Sequence, residues 1–345
     1  MGDIEIIDSK DNVDSLRFYS IPGGHQIELF MNNNNVWSPY SAPNLFSALE
    51  KQGLLNIFQE ADVLDIGSGT GILGIAAKKL GANRVDLVDN NIEAVALSQV
   101  NARLNGLAQG IDFRAIPSDV YDEIPVGTKY DVIIGNLPMN PTIPGVSIVN
   151  PAYRSNQNSD DLGREVLDEV ISNAREYLNP GGSLIVTASS RQNFEITRIK
   201  MRRSFGEENS GWRVLNGSGD NDALPGEHQP LSPNWQYYEP FINHWQTLSS
   251  LYHTFTVYRL DQNGNPIHQI FLKDKIIRLA VDPYSPTREI VLYVRNGDNR
   301  TKGFRLGDEM PKYDPSIQTK GVDLRDLSSL SNEIFHNYIV LQANV

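Results

Sequence analysis

The sequence contains no cysteine, and this absence removes several kinds of chemistry. Without thiols the chain can form neither a disulfide framework nor a thiolate metal site, and it has no cysteine nucleophile. The histidines His228, His244 and His253 lack the short spacing of metal ligands, so we assign no metal. No apolar run approaches the roughly 18 residues that a membrane-spanning helix requires. We therefore expect a cytoplasmic protein without a membrane partner.

Positive charge is also in short supply. The chain has 30 Lys and Arg residues and 42 Asp and Glu residues, which gives a formal net charge of −12. A protein that coats nucleic acid needs clustered cations to neutralise phosphates, so this balance favours a small-molecule or protein partner over nucleic acid. The densest basic cluster is Arg198, Lys200, Arg202 and Arg203. It fits either a solvated helix face or a docking patch for an anionic partner.

The middle third of the sequence alternates apolar runs with helical patterns. The predicted strands cover 62–66, 84–88, 111–116, 130–134 and 183–187. The predicted helices cover 71–80, 92–105 and 161–178, and Gly81 and Gly106 close the first two where a glycine C-cap belongs. Strands that alternate with helices predict an α/β fold around a parallel sheet at least five strands wide.

Three regions are predicted along the chain. Residues 1–60 hold a strand pair, SLRFYSI and HQIELFM, and a proline-containing segment; residues 61–260 form the main domain, and residues 261–345 form a small β-rich C-terminal region. The last two strands of the main sheet are expected at 212–216 and 254–260, which makes 217–253 an insertion. Long connections of this kind commonly act as lids or binding loops, although this one could also pack only its own cluster.

The first predicted strand leads into a glycine-rich turn, VLDIGSGTGILG. Gly67, Gly69 and Gly71 let the backbone approach a ligand closely, and the helix that follows favours a negative or electron-rich group at its N-terminus. The same letters satisfy G-x-G-x-x-G, so a dinucleotide dehydrogenase has to be considered. Asp65, two residues before the first glycine, would repel a pyrophosphate, whereas its carboxylate suits an ammonium group.

Two further acids follow the next strands. Asp89 closes the second strand, where its carboxylate can accept both hydroxyls of a ribose. Asp119 follows the third strand, where it can accept the amine of an adenine while the backbone N–H of Val120 donates to a ring nitrogen. Together with Asp65, these groups describe a ligand that has an amino acid end, a ribose and an adenine, and no phosphate.

The segment VLDIGSGTGILGIAAKKLGANRVDLVDNN resembles the cofactor-binding half of class I S-adenosylmethionine-dependent methyltransferases, and the resemblance extends over residues 62–189. It implies a Rossmann-like doubly wound sheet, parallel with an antiparallel end strand, and S-adenosyl-L-methionine as the cofactor. In the family the glycine loop and the first acid hold the methionine end, the second acid the ribose and the third the adenine. The cofactor-binding residues implied here are Asp65, Gly67, Gly69, Gly71, Asp89, Asn90, Asp119, Val120 and Asn136.

The fourth predicted strand ends in VIIGNLPMNP, and its prolines cannot continue a central strand. A plain turn would explain this, but the family carries its acceptor motif at this place. The form Asn-Leu-Pro is similar to that of ribosomal RNA adenine dimethylases, and the N-terminal strand pair is similar to release-factor glutamine methyltransferases. The amide oxygen of Asn136 and a carbonyl of Leu137 or Pro138 could accept N–H groups and orient a planar nitrogen toward the methyl sulfonium.

Met139 is a departure from the family pattern, because enzymes that methylate planar nitrogens usually carry an aromatic residue there. O-methylation of a small molecule therefore stays open, as do RNA adenine or guanine N-methylation and an inactive cofactor-binding scaffold. Arginine methyltransferases rank lower, since their paired glutamates are absent from this loop. The aromatic insertion could complete the acceptor site beside Met139. Its candidate substrate residues are Trp235, Tyr237, Tyr238, Phe241 and Trp245.

The combined prediction is a methyltransferase that uses in-line displacement to modify a planar nitrogen of a small molecule or a protein side chain. The cofactor carries the difficult chemistry, and the protein supplies binding, orientation and hydrogen bonds. The sequence specifies neither the acceptor nor the oligomeric state.

Overall fold

A computed structural model describes residues 4–6, 15–31, 36, 42–108, 110–143, 146–148, 160, 162–189, 192, 194–215, 227–230, 271–272, 275–276 and 335–345. The helices are α1 (Ala42–Lys51), α2 (Ile72–Lys79), α3 (Ile92–Leu104), α4 (Glu165–Tyr177) and α5 (Phe194–Phe205). The strands are β1 (Ile4–Ile6), β2 (Ser15–Ile21), β3 (His25–Met31), β4 (Asp62–Ile66), β5 (Arg84–Asp89), β6 (Phe113–Pro117), β7 (Tyr130–Gly135), β8 (Val146–Ile148), β9 (Leu178–Ser189), β10 (Trp212–Val214), β11 (Glu227–Pro230), β12 (Phe271–Leu272), β13 (Lys275–Ile276) and β14 (Phe335–Asn344).

The central sheet has the order β10-β14-β9-β7-β4-β5-β6, and β11 also pairs with β14. The five strands from β9 to β6 are parallel to one another, and β14 is antiparallel to both β9 and β10. The predicted α/β fold, a parallel sheet with an antiparallel strand near one end, is confirmed. All five strands predicted in the middle third are present, with ends that differ by a few residues.

Helices cover both faces of this sheet, because its strands are apolar on both sides. On one face, Val63 and Val132 pack in a hydrophobic cluster with α1, α2 and the β2–β3 hairpin. On the other face, Leu64 and Ile133 pack against buried residues of α4 and α5. Strands that are buried on both faces are typical of parallel sheets, and this arrangement exposes only their ends to ligands.

The N-terminal strand pair is confirmed. Strands β2 and β3 form an antiparallel hairpin in which Ile21 faces His25 across the turn. The turn contains Gly23 at a φ of 81°, in the left-handed region that glycine enters without a Cβ clash. On β3, Ile27 and Leu29 point into the core, so the hairpin packs on the domain through one face.

The prediction for the last strand of the sheet is wrong. The strand beside β9 is β14 at the end of the chain, in a register that pairs Tyr338 with Ser189 and Asn344 with Ser183. The segment 254–260, predicted for this place, lies outside the described residues. Both segments have the apolar pattern of a buried strand, and sequence periodicity cannot choose between two such candidates. Strand β11 lies within the predicted insertion 217–253 and also pairs with β14. The bounds of the insertion and of the three predicted regions stay predictions.

None of the helices in the described part of the chain has both the length and the apolar character needed to cross a bilayer.

Candidate functional site

The loop between β4 and α2 forms the centre of the candidate site. Gly67, Gly69 and Gly71 all have positive φ, at 64°, 53° and 81°, so a side chain at any of them would strain the backbone. A Cβ at Gly71 would also lie 2.9 Å from the Cβ of Ser98 on α3. Glycine therefore allows both the turn and the close packing of the loop against the helices.

Asp65 lies at the end of β4 and is fully buried. Its Oδ2 accepts a 2.8 Å hydrogen bond from the backbone N–H of Gly74, on the first turns of α2. Its Oδ1 has no hydrogen-bond partner among the described residues. The pKa of Asp65 is raised to about 8, chiefly by burial. The hydrogen bond from Gly74 lowers this pKa, and the nearby carboxylate of Asp89 raises it further. The carboxyl group therefore keeps its proton at neutral pH until a cationic partner arrives.

Asp89 ends β5 and braces the glycine loop. Its Oδ2 accepts from the backbone N–H of Gly69 at 2.8 Å, and its Oδ1 accepts from the N–H of Asn91 at 2.9 Å. Burial raises the pKa of Asp89, and these two hydrogen bonds act in the opposite direction. Each carboxylate oxygen can accept a second hydrogen bond, so the group can still bind hydroxyls while it holds the loop.

Asn90 and Asp119 lie next to each other at the exposed ends of β5 and β6. The Asn90 Nδ2 donates to the Asp119 Oδ1 at 3.4 Å. Val120, the next residue, is buried and has a φ of 41°. A β-branched residue in this region is strained, at a cost of about 1–3 kcal/mol, and such strain concentrates at functional sites. The predicted ribose and adenine residues are thus brought together at one edge of the sheet.

Three buried polar atoms of this region have no hydrogen-bond partner among the described residues: Asp65 Oδ1, Ser68 Oγ and Thr70 Oγ1. A buried polar atom without a partner costs about 1–3 kcal/mol, and a polar ligand can remove this cost. These groups suit an ammonium group and ribose hydroxyls, whereas the carboxylates of Asp65 and Asp89 would repel a pyrophosphate. The residues therefore fit S-adenosylmethionine. Ser68 and Thr70 are not among the predicted site residues, although both lie inside the glycine motif.

Asn136 follows β7 at the same edge of the sheet. Strands β7 and β9 pair in parallel with Gly135 opposite Val186, which places Thr187 beside Asn136. The hydroxyl of Thr187, a buried residue, donates to the Asn136 Oδ1 at 3.0 Å. An amide oxygen can accept two hydrogen bonds, and this one holds the Asn136 side chain at the edge of the sheet.

Leu137 and Pro138 continue the turn after Asn136. The Leu137 side chain is buried and folds back over the end of β7, where its Cδ2 lies 2.9 Å from the place of a Cβ on Gly135. The same methyl group lies 3.6 Å from the place of a Cβ on Gly67, so it faces the glycine loop. Pro138 is half-buried. The predicted acceptor motif and the glycine loop thus lie side by side.

Met139 and Asn140 are held by a second loop, which precedes α4. The Met139 side chain is 6% exposed and packs in the main hydrophobic cluster, and Asn140 is fully buried. Gly163 approaches so closely that any Cβ there would overlap the carbonyl oxygen of Met139. The N–H of Thr142 donates to the carbonyl of Asp160 at 3.1 Å.

A buried arginine anchors this second loop. The guanidinium of Arg164 donates to Asp168 Oδ1 at 2.6 Å, to Thr197 Oγ1 at 2.8 Å and to the carbonyl of Gln192. The Gln192 side chain in turn donates to the carbonyl of Gly163 at 2.6 Å. No sequence motif indicated this network, because its members come from three separate segments.

The candidate residues of the insertion, Trp235, Tyr237, Tyr238, Phe241 and Trp245, lie outside the described residues. Three members of the basic cluster form ion pairs: Arg198 with Glu208 at 3.7 Å, Lys200 with Asp168 at 3.5 Å and Arg202 with Glu207 at 3.1 Å. These pairs favour the interpretation of the cluster as a helix face over that of a docking patch. In the part of the chain that the structure describes, no group of His, Asp and Glu side chains could hold a metal ion.

Comparison with known proteins matches residues 46–151 to the family model of ribosomal protein L11 methyltransferase (PrmA). A candidate protein N5-glutamine methyltransferase of Methanocaldococcus jannaschii is 37% identical over 132 residues, which cover 37% of this chain and 62% of the relative. A ribosomal protein L11 methyltransferase of Dechloromonas aromatica is 29% identical over 170 residues, which cover 46% of this chain and 53% of the relative.

Among solved structures, the 16S rRNA N2 G1207 methyltransferase of T. Thermophilus, in complex with AdoMet and guanosine, matches with 19% identity and a TM-score of 0.44. The match covers 59% of this chain and 48% of that chain. The chain thus spans about half to three fifths of the length of these proteins.

Proposed function

We propose that this protein, whose central region is a class I S-adenosylmethionine-dependent methyltransferase domain, transfers a methyl group to a planar nitrogen of a protein side chain. The observation that carries the proposal is the position of Asn136. Its side chain is fixed by Thr187 at the sheet edge that also presents Asp65 and the glycine loop. An amide oxygen held beside a cofactor site can accept the N–H of an acceptor and orient it for attack.

When bound, S-adenosylmethionine supplies an electrophilic methyl carbon, and its sulfonium leaves as a neutral thioether when a nitrogen lone pair forms the new bond. The residues of this chain bind and orient. Asp65 would hold the ammonium group, and Asp89 would accept the ribose hydroxyls. Asn136, with a carbonyl of Leu137 or Pro138, would accept the N–H groups of the acceptor, so that the lone pair of its nitrogen points toward the methyl group.

A protein acceptor is favoured over RNA by charge and by relatives. The formal net charge is −12, and three of the four cations of the basic cluster are paired with acids. RNA binding needs cations that are available to phosphates. The relatives named above include proteins named for glutamine and for ribosomal protein L11 methylation.

The test combines cofactor binding with an acceptor screen on the full chain. Calorimetry should detect binding of S-adenosylmethionine and no binding of NAD. Binding of NAD without binding of S-adenosylmethionine would restore the dehydrogenase interpretation. Release of S-adenosylhomocysteine is then followed with glutamine-containing peptides, with recombinant ribosomal protein L11 and with ribosomal RNA. We expect turnover with a protein acceptor that depends weakly on salt, and mass spectrometry should place the methyl group on nitrogen. Turnover with RNA alone, with a steep loss at moderate salt, would contradict the proposed acceptor.

A further inference from the structure

Two asparagines hold the outer edge of the hairpin strand β3: Asn101 on α3, and Asn105, which directly follows this helix. The Asn101 Oδ1 accepts from the backbone N–H of Phe30 at 2.7 Å, and the Asn105 Oδ1 accepts from the N–H of Glu28 at 3.1 Å. The Asn105 Nδ2 returns a hydrogen bond to the carbonyl of Glu28 at 2.7 Å. Residues four apart share one face of a helix, so both amides act together in place of a neighbouring strand.

Among the described residues, Asn101 makes one hydrogen bond that has no counterpart at Asn105. Its Nδ2 donates to the carbonyl oxygen of Thr70 at 2.9 Å, in the middle of the glycine loop. Asn101 is fully buried, and both ends of its amide are bonded. The side chain therefore ties strand β3 to the loop that presents Gly69 and Gly71.

A second contact joins the N-terminal part of the chain to the same loop. Val36 is buried in a small cluster with Ala94 and Leu97 of α3, against which Phe30 of the hairpin also packs. The Cγ1 of Val36 lies 3.8 Å from the place of a Cβ on Gly69. Val36 and Phe30 precede the segment 46–151 that matches the family model, so that match does not assign these two residues a role.

We propose that the hairpin β2–β3 is a working part of the cofactor site and that Asn101 is the positioning residue that couples it to the glycine loop. The proposal rests on the proposed use of S-adenosylmethionine. An amide suits position 101, because the hairpin needs an acceptor and Thr70 needs a donor, and the Oδ1 and Nδ2 of Asn101 supply the two from separate atoms. Both ends of the Asn101 amide bond to backbone groups of the protein, so it acts by holding the loop in its binding geometry.

The experiment compares Asn101→Ala with the matched control Asn105→Ala. Both variants remove an amide that holds β3, but only the first removes the bond to Thr70. We expect Asn105→Ala to speed amide hydrogen exchange in β3 alone and to change the dissociation constant of S-adenosylmethionine by less than about threefold. Asn101→Ala should also speed exchange at Gly69 and Gly71 and weaken S-adenosylmethionine about tenfold, the effect of one buried hydrogen bond. Equal weakening by both variants would overturn the proposal.

The exchange measurement keeps the inference separate from the proposed function. In ligand-free protein, faster exchange at Gly69 and Gly71 in Asn101→Ala but not in Asn105→Ala supports the coupling even if the wild type binds no S-adenosylmethionine. Unchanged exchange at these glycines overturns it, whatever the protein methylates. If Asn101→Ala does not fold, the coupling is tested in the wild type alone. Addition of S-adenosylmethionine should then slow hydrogen exchange at the Phe30 amide, and an unchanged exchange rate there contradicts the coupling.

Discussion

The two halves of the sheet edge differ in how their polar groups are satisfied. At the cofactor half, which comprises Asp65, the glycine loop and Asp89, buried polar atoms of Asp65, Ser68 and Thr70 have no partner among the described residues. At the acceptor half, which comprises the loop 136–142 and its neighbours, polar groups bond to one another, as Thr187 does to Asn136. The first half thus keeps buried polar atoms that a ligand could satisfy, whereas the second is held by its own hydrogen bonds.

This difference reflects two kinds of recognition. S-adenosylmethionine and its thioether product carry the same ammonium group and ribose, so buried groups can be left to be satisfied by them. The acceptor nitrogen has to be oriented for attack, so the protein gains by fixing its acceptor loop through its own contacts, such as those of Arg164 and Gln192. Preorganised hydrogen-bond groups lower the cost of reaching the transition state because they need not rearrange. Substitutions in the cofactor half should therefore change binding, and substitutions in the acceptor half should change turnover.

The largest effect is expected at Asn136. Asn136→Ala removes the side-chain acceptor at the reacting nitrogen, so kcat should fall by about a hundredfold or more, as for the loss of a transition-state hydrogen bond. The dissociation constant of S-adenosylmethionine should stay within a few-fold. Steady-state turnover and calorimetry measure the two quantities. Asn179→Ala is the control, since Asn179 bonds to Asp131 at the opposite end of the same strands. Unchanged turnover would make the Asn136 motif a plain turn.

The next largest effect is expected at Asp65, where a substitution should weaken the binding of S-adenosylmethionine. Asp65→Asn keeps an oxygen for the N–H of Gly74 but removes the charge that would hold an ammonium group. S-adenosylmethionine should bind about 10- to 150-fold more weakly, the range for a charged hydrogen bond of about 1.5–3 kcal/mol. Asp62→Asn, on the same strand at the far edge of the sheet, is the control in calorimetry. Equal affinity of the wild type and Asp65→Asn would remove Asp65 from the site.

The same contrast explains how much the sequence could predict. In the cofactor half, Asp65 and Gly74 are nine residues apart, and Asp89 and Gly69 are twenty apart, so the site comes from one continuous stretch with its own motif. In the acceptor half, Thr187 meets Asn136 across 51 residues. Strand β14 joins the sheet from the end of the chain for the same reason. Long-range pairings leave no local pattern, and an apolar strand fits many places in a sheet.

A smaller effect on turnover is expected from Thr187, which contacts the reacting group only through Asn136. Thr187→Val keeps the shape of the side chain and its strand propensity but leaves the Asn136 oxygen without its donor. We expect kcat to fall about tenfold while S-adenosylmethionine binding is unchanged, because one neutral hydrogen bond that orients the amide is lost. Thr187→Ser, which restores the hydroxyl, should recover most of the activity. A serine variant as impaired as the valine variant would show that packing, and not the hydroxyl, matters at this position.

The smallest effect is expected from pH, and it follows from the pKa of about 8 for Asp65. An ammonium group binds the carboxylate, so binding has to release the proton that Asp65 carries below pH 8. The dissociation constant of S-adenosylmethionine should therefore be about fivefold lower at pH 8 than at pH 7, with close to one proton released at pH 7. Calorimetry in buffers of different ionisation enthalpy measures this proton. Asp65→Asn should show neither effect.

Stability in the absence of cofactor should change with pH in the opposite direction. The pKa of Asp65 is raised in the folded protein, so between about pH 4 and pH 8 the folded state holds a proton that the unfolded state has lost. The contribution of this group to the free energy of unfolding therefore falls as pH rises, by up to about 1.4 kcal/mol per pH unit. Asp65→Asn removes this term and should melt at a higher temperature than the wild type at pH 8, by calorimetric scan. A variant that binds cofactor poorly yet is more stable would show that the cofactor half trades stability for binding; a destabilised Asp65→Asn would mean that this carboxylate serves the fold.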